Sequence, residues 1–80
     1  MKYAVLIERV PNSNYCASVP DLPGCVSTGD SREEVLKNIR EAIEFHLAGM
    51  REDGDAIPVP TTEVDYAEVP KWRENPKSAA

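Results

Sequence analysis

The chain has 80 residues, two cysteines, one histidine and a net charge of −5. A domain this short buries only a modest core, so disulfides, a metal or a second subunit commonly support it. The acidic balance argues against docking on phosphate backbones, which takes clustered Lys and Arg; it suits plain solubility, or a basic protein partner drawn in by opposite fields.

Met1-Lys2 leads straight into a strand-like run, with no signal-peptide pattern. The longest apolar stretch, Ala4 to Ile7, is far too short to span a bilayer. A soluble, reduced, cytoplasmic protein of one domain is expected. Lys2 to Arg9 reads as a strand with Tyr3, Val5 and Ile7 on one face and Ala4 and Leu6 on the other. Pro11 to Asn14 is a loop by composition, where Asn tolerates left-handed backbone. Tyr15 to Val19 is the second strand, forming a hairpin with the first.

Pro20 to Gly24 is a turn. Pro23 presets φ at its second position and Gly24 accepts φ > 0 at its third, the type II arrangement. Leu22 in this loop is either tucked under the helix or offered to a partner, and burial is favoured. Asp21 is expected to bond backbone N–H groups of its own turn. Cys25 to Thr28 is a short third strand, ended by Gly29-Asp30.

Ser31 to Glu52 reads as one helix. Ser31 and Glu34 form a capping box. Val35, Ile39, Ala42, Ile43, Leu47 and Met50 make one apolar stripe, and Gly54 is the stop signal. Asp55 to Thr62 contains Pro58 and Pro60 and should be extended. Glu63 to Val69 alternates and predicts a fourth, edge-like strand ended by Pro70. Lys71 to Ala80 is a polar tail in which Trp72 is the one residue expected to dock.

The order β-β-β-α-β predicts an α+β domain with one helix across one face of a small, mainly antiparallel sheet. A symmetric hairpin sets Ile7 opposite Ala17 and Val5 opposite Val19, on the face that receives the helix. The same register sets Cys16 opposite Thr28 and Cys25 opposite Val19. The two thiols then point to opposite faces, which argues against a disulfide. The other face carries Ala4, Leu6, Cys16 and Val26 with no second helix to cover them. That strip is read as a surface for self-association.

The run Val19-Pro20-Asp21-Leu22-Pro23-Gly24-Cys25, then Thr28-Gly29-Asp30-Ser31 and a Glu-rich helix, resembles the amino-terminal domain of HicB-type antitoxins. Met1-Lys2-Tyr3, Ile39 to Glu44, Arg51 to Gly54 and Ile57-Pro58 are similar to that family too, so the resemblance runs from Met1 to about Pro70. It implies a partial ribonuclease H-like fold, with the fourth strand parallel to the first. It implies a role in a type II toxin–antitoxin system, masking a HicA-like toxin, a small basic mRNA-cleaving enzyme. Self-association as a homodimer or homotetramer is implied as well. About ten residues follow the last predicted strand, too few for the carboxy-terminal DNA-binding domain many members carry, so no direct nucleic-acid binding is expected. The toxin is expected to meet Asp55, Glu63, Asp65 and Tyr66 of the acidic extension, and self-association to use Ala4, Leu6 and Val26.

Two other readings stand beside this one. An orphan oligomeric regulatory domain without a toxin partner fits the same surfaces. A metal-dependent nuclease would place Glu8, Glu34 or Glu41, and Asp65 around Mg²⁺. That reading is the weaker, because Glu8 sits at a strand end, Glu34 caps a helix and Glu41 lies on the wet helix face. His46 has no recognisable catalytic partner and reads as a boundary residue of the core. Cys16 and Cys25 have no positive charge nearby in sequence and read as small packing residues. The chain is therefore expected to be non-enzymatic and to carry no metal or cofactor.

Overall fold

A computed structural model describes residues 1–71. Three short strands, β1 (Leu6–Arg9), β2 (Tyr15–Ser18) and β3 (Val26–Gly29), form an antiparallel sheet in the order β1-β2-β3. A 21-residue helix, α1 (Arg32–Glu52), follows. The α+β class and the single helix on one sheet face agree with the sequence reading. The strands are shorter than their apolar patterns, yet Tyr3 and Val5 still pack on the core ahead of β1.

The register is the expected one. Ile7 pairs with Ala17, and Cys16 with Thr28. The Val19 N–H donates to the Cys25 carbonyl at 3.2 Å. Cys16 is half-buried and Cys25 buried, and both are free thiols; burial pushes the Cys25 thiol pKa up. In the hairpin Asn12 takes φ 59°, behind Pro11, the type II pattern again. At the β2–β3 turn Gly24 has φ 85° and the Cys25 N–H closes on the Leu22 carbonyl at 3.0 Å.

The helix starts and stops where its signals lie. Ser31 is extended at the N-cap, and its hydroxyl accepts from the Glu34 N–H at 3.0 Å. The Glu34 carboxylate reaches back to the Asp30 N–H at 3.0 Å, one residue beyond the usual capping box. At the other end Gly54 has φ 74°. Its N–H bonds the Arg51 carbonyl, and the Asp55 N–H bonds the Met50 carbonyl at 2.9 Å. These two bonds are the paired closure of a Schellman motif.

Ala17, Val19, Leu22, Cys25, Val35, Ile39 and Leu47 form the core. Leu22 is 0% exposed, so it is tucked in rather than presented. Gly29 is buried where the helix begins: a Cβ there would lie 2.6 Å from the Val35 backbone nitrogen. The absent side chain is what lets α1 start against the end of β3.

One expected element does not form among the described residues. The segment 63–69 joins no ladder. Its alternating residues Val64 and Tyr66 are exposed, so too little apolar area is covered to offset the ordering cost of an edge strand. The expected docking of Trp72 lies outside the described residues.

Candidate partner-binding surface

Beyond α1 the chain is tied back to the sheet at two places. The Tyr3 hydroxyl donates to the Pro58 carbonyl at 2.5 Å, and Ile57 packs against the core between them. Further on, the Asp21 carboxylate accepts four hydrogen bonds. One oxygen takes the Thr61 and Thr62 N–H groups at 2.9 and 3.0 Å; the other takes their hydroxyls at 3.2 and 2.7 Å. The expectation that Asp21 serves its own turn is therefore corrected. The turn is closed by backbone bonds, Leu22 N–H to the Val19 carbonyl and Cys25 N–H to the Leu22 carbonyl, which frees the side chain to hold a segment forty positions away. The Thr62 N–H first, then its hydroxyl and the Thr61 N–H, hold the Asp21 carboxyl at about 2 against an ordinary 3.8.

Past this latch the chain is exposed. Asp55 lies in the open just after the helix; Glu63, Asp65 and Glu68 follow beyond the latch, with Tyr66 90% exposed. The Asp65 carboxylate accepts from the Tyr66 N–H at 2.7 Å. Tyr66 borders a hollow of about 320 Å³ shared with Val5, Ile7, Arg9, Tyr15 and Arg32. The arm thus passes the β1 side of the sheet without pairing to it.

That side is open in two further ways. The Val10 N–H bonds the Asn14 carbonyl, and bonded pairs alternate along an antiparallel ladder. In this register Ile7 and Arg9 turn their backbone groups away from β2. In addition α1 lies over β2 and β3. This leaves a groove of about 590 Å³ between the segment ahead of β1 and the helix, lined by Tyr3, Val5, Leu36 and Ile43. The β3 edge is better guarded: the Asn38 side-chain amide donates to the Thr28 carbonyl at 2.8 Å. Sequence reading missed that guard, because a lone Asn on a helix carries no signal of where its amide reaches.

On the sheet face turned from the helix, Leu6 is 43% and Val26 64% exposed, and Ala4 is half-buried. Leu6, Ser18 and Val26 stand in one row across the three strands. The residues of the nuclease reading are not brought together. Glu8 and Glu41 are exposed, Glu34 is spent on the helix cap, and Asp65 lies on the arm. Among the described residues no three His, Cys, Asp or Glu side chains are grouped to hold a metal. No described helix is long and apolar enough to cross a membrane.

Residues 3–77 match the family described as HicB-like antitoxin of bacterial toxin–antitoxin systems. The chain belongs to this family. It is 42% identical over 74 residues to an uncharacterized 14.9 kDa protein of Haemophilus phage HP1, covering 92% of this chain and 55% of that protein. It is 37% identical over 71 residues to Antitoxin HicB 1 of Photorhabdus laumondii, covering 88% of this chain and 46% of that protein. A UPF0150 protein of Archaeoglobus fulgidus is 39% identical over 66 residues, covering 80% of this chain and 96% of its own length. The chain thus spans about half the length of the phage and Photorhabdus relatives and nearly the whole of the archaeal one. Membership supports an antitoxin role.

Proposed function

We propose that this HicB-family domain works without catalysis, in the cytoplasm, by covering a basic, HicA-like mRNA-cleaving toxin. The observation that carries this reading is the latched acidic arm. The Asp21 latch and the Tyr3–Pro58 bond hold the start of an extended segment against the sheet. Beyond them Glu63, Asp65 and Tyr66 stand exposed, and Asp55 is exposed on the helix side. A chain already fixed at its root loses less freedom on binding. Its carboxylates speed encounter with a basic surface, and Tyr66 supplies the aromatic anchor that interfaces favour. The open β1 edge and groove beside it give a partner further area to cover. Self-association is assigned to the row of Leu6 and Val26 with Ala4 beside it, as a dimer or tetramer.

The test is co-purification with a HicA-like basic ribonuclease, followed by an RNA-cleavage assay. Cleavage is expected to fall to background at equimolar antitoxin. The double reversal Glu63→Lys with Asp65→Lys should weaken inhibition by about tenfold or more, chiefly through slower association. Undiminished cleavage at equimolar antitoxin would overturn the reading and favour the orphan oligomeric domain.

A further inference from the structure

The hollow that Tyr66 borders differs in chemistry from the acidic surface around it. About its 320 Å³ stand two arginines, Arg9 and Arg32, two tyrosines, Tyr15 and Tyr66, and the aliphatic walls of Val5 and Ile7. No carboxylate borders it among the described residues, although acidic residues outnumber basic ones 14 to 9 in the chain. The Arg9 guanidinium lies 5.8 Å from the centre of the Tyr15 ring, within cation–π range. Arg32 is the first residue of α1, where the positive end of the helix dipole disfavours a cation. A residue that breaks a local preference in this way points to a role other than stability.

We infer that this hollow is a binding site for a nucleoside monophosphate, with the phosphate between Arg9 and Arg32 and the base laid on Tyr66. A phosphate monoester carries nearly two negative charges at neutral pH. It therefore uses two guanidinium forks, where a carboxylate is satisfied by one. Tyr15 already gives a ring face to Arg9, whereas Tyr66 is 90% exposed and has a face to offer. A planar base stacks on such a ring whatever its identity. The hollow is at the small end of ligand sites, which suits one nucleotide. A longer strand needs a row of basic residues along its path, and here Asp65 and Glu68 flank Tyr66.

The carboxylates nearby do not cancel the site. Glu8 alternates to the other sheet face from Ile7 and Arg9. The Glu34 carboxylate is spent on the Asp30 N–H, and that of Asp65 accepts from the Tyr66 N–H. Glu33, exposed beside Arg32, and Asp65 are the carboxylates next in sequence to residues of the hollow; both weaken anion binding without abolishing it. The chain's net charge of −5 is screened beyond about 8 Å at physiological salt, so the two arginines in contact with the phosphate outweigh it. The inference does not rest on toxin masking. A ligand here shares Tyr66 with the proposed toxin surface, and its test leaves the toxin out.

The experiment is an NMR titration of the full chain with adenosine 5′-monophosphate, adenosine and inorganic phosphate in turn. The monophosphate should shift the Ile7, Arg9, Arg32 and Tyr66 amides saturably, with a dissociation constant of about 1 mM or lower. Adenosine and inorganic phosphate should each bind at least about tenfold more weakly, because each makes only one half of the contacts. Tyr66→Ala should weaken the monophosphate about fivefold or more and leave inorganic phosphate unchanged, as loss of a stacking ring does. Arg32→Gln should weaken both by a similar factor. Both side chains are exposed and Gln is itself a good helix former, so unchanged circular dichroism is expected and a folding defect cannot explain the losses. No saturable shift up to about 10 mM monophosphate overturns the inference. So does equal affinity for inorganic phosphate, which marks an adventitious ion only, and so does binding undiminished by Arg32→Gln. Failure of toxin inhibition in a chain that binds the monophosphate bears only on the antitoxin reading.

Discussion

The body of the molecule and the arm that follows it are held in different ways. From β1 to Glu52 each element packs on its neighbours in sequence: hairpin, turn, strand and capped helix close on one another around Leu22, Val35 and Ile39. From Asp55 onward the described chain is secured by Ile57, one tyrosine hydroxyl and one carboxylate, all reaching across large separations in sequence. Elements fixed by burial open together, whereas a segment fixed by a few exposed hydrogen bonds opens by itself. On the proposed reading that division is useful, because a stable body can carry an arm that adapts to a partner.

The comparison breaks most visibly at Leu22, which belongs to the body but neighbours the latch. Leu22→Ala empties a fully buried site and should cost about 3 kcal/mol. For a domain of this size that lowers the melting temperature by roughly 12–24 °C. Thermal melts check the value. Body and arm should be lost together, because Asp21 is carried by the same turn. A drop of only a degree or two would mean the turn is not part of the core.

Asp21→Ala tests the opposite case. It removes all four bonds to Thr61 and Thr62 and leaves every core side chain in place. Water can replace each of these bonds, so their loss loosens the arm locally and barely touches the body. Hydrogen exchange at the Thr61 and Thr62 amides should accelerate by about tenfold or more, with exchange at Val35 and Ile39 unchanged. Equal acceleration at all four amides would show that body and arm are one cooperative unit.

The same division explains what could be read in the sequence. The hairpin register, the type II turn at Gly24, both helix ends and the apolar stripe are local signals, and the structure contains each of them. Leu22 could be placed because a leucine held in a rigid Pro-containing loop beside an amphipathic helix has somewhere to go. Gly29 went unread because its reason is a helix backbone that arrives only in three dimensions. Asp21 was assigned to its own turn because nothing in Pro20 to Gly24 points to threonines forty residues on. The strand expected over Glu63 to Val69 rested on alternation and on the family resemblance, and alternation predicts a strand only where a sheet edge and a covered face await it.

The smallest expected effect separates body from arm by protons alone. The folded Asp21 carboxyl sits near 2 and the unfolded one near 3.8. A depressed folded pKa means the charged form is the one the latch binds. Its stabilisation is complete above the unfolded value and fades as pH falls from about 4 towards 2. Protonation leaves a carboxylic acid with less acceptor strength facing two N–H donors, so those bonds weaken first. In an NMR titration the Thr61 and Thr62 amide shifts should move with a midpoint near the folded value, while the amides of Val35 and Ile39 move little. Asp21→Asn should abolish the transition at both threonines. A midpoint close to 3.8, or the same titration surviving in the asparagine variant, would mean that the arm is not held by this carboxylate in solution.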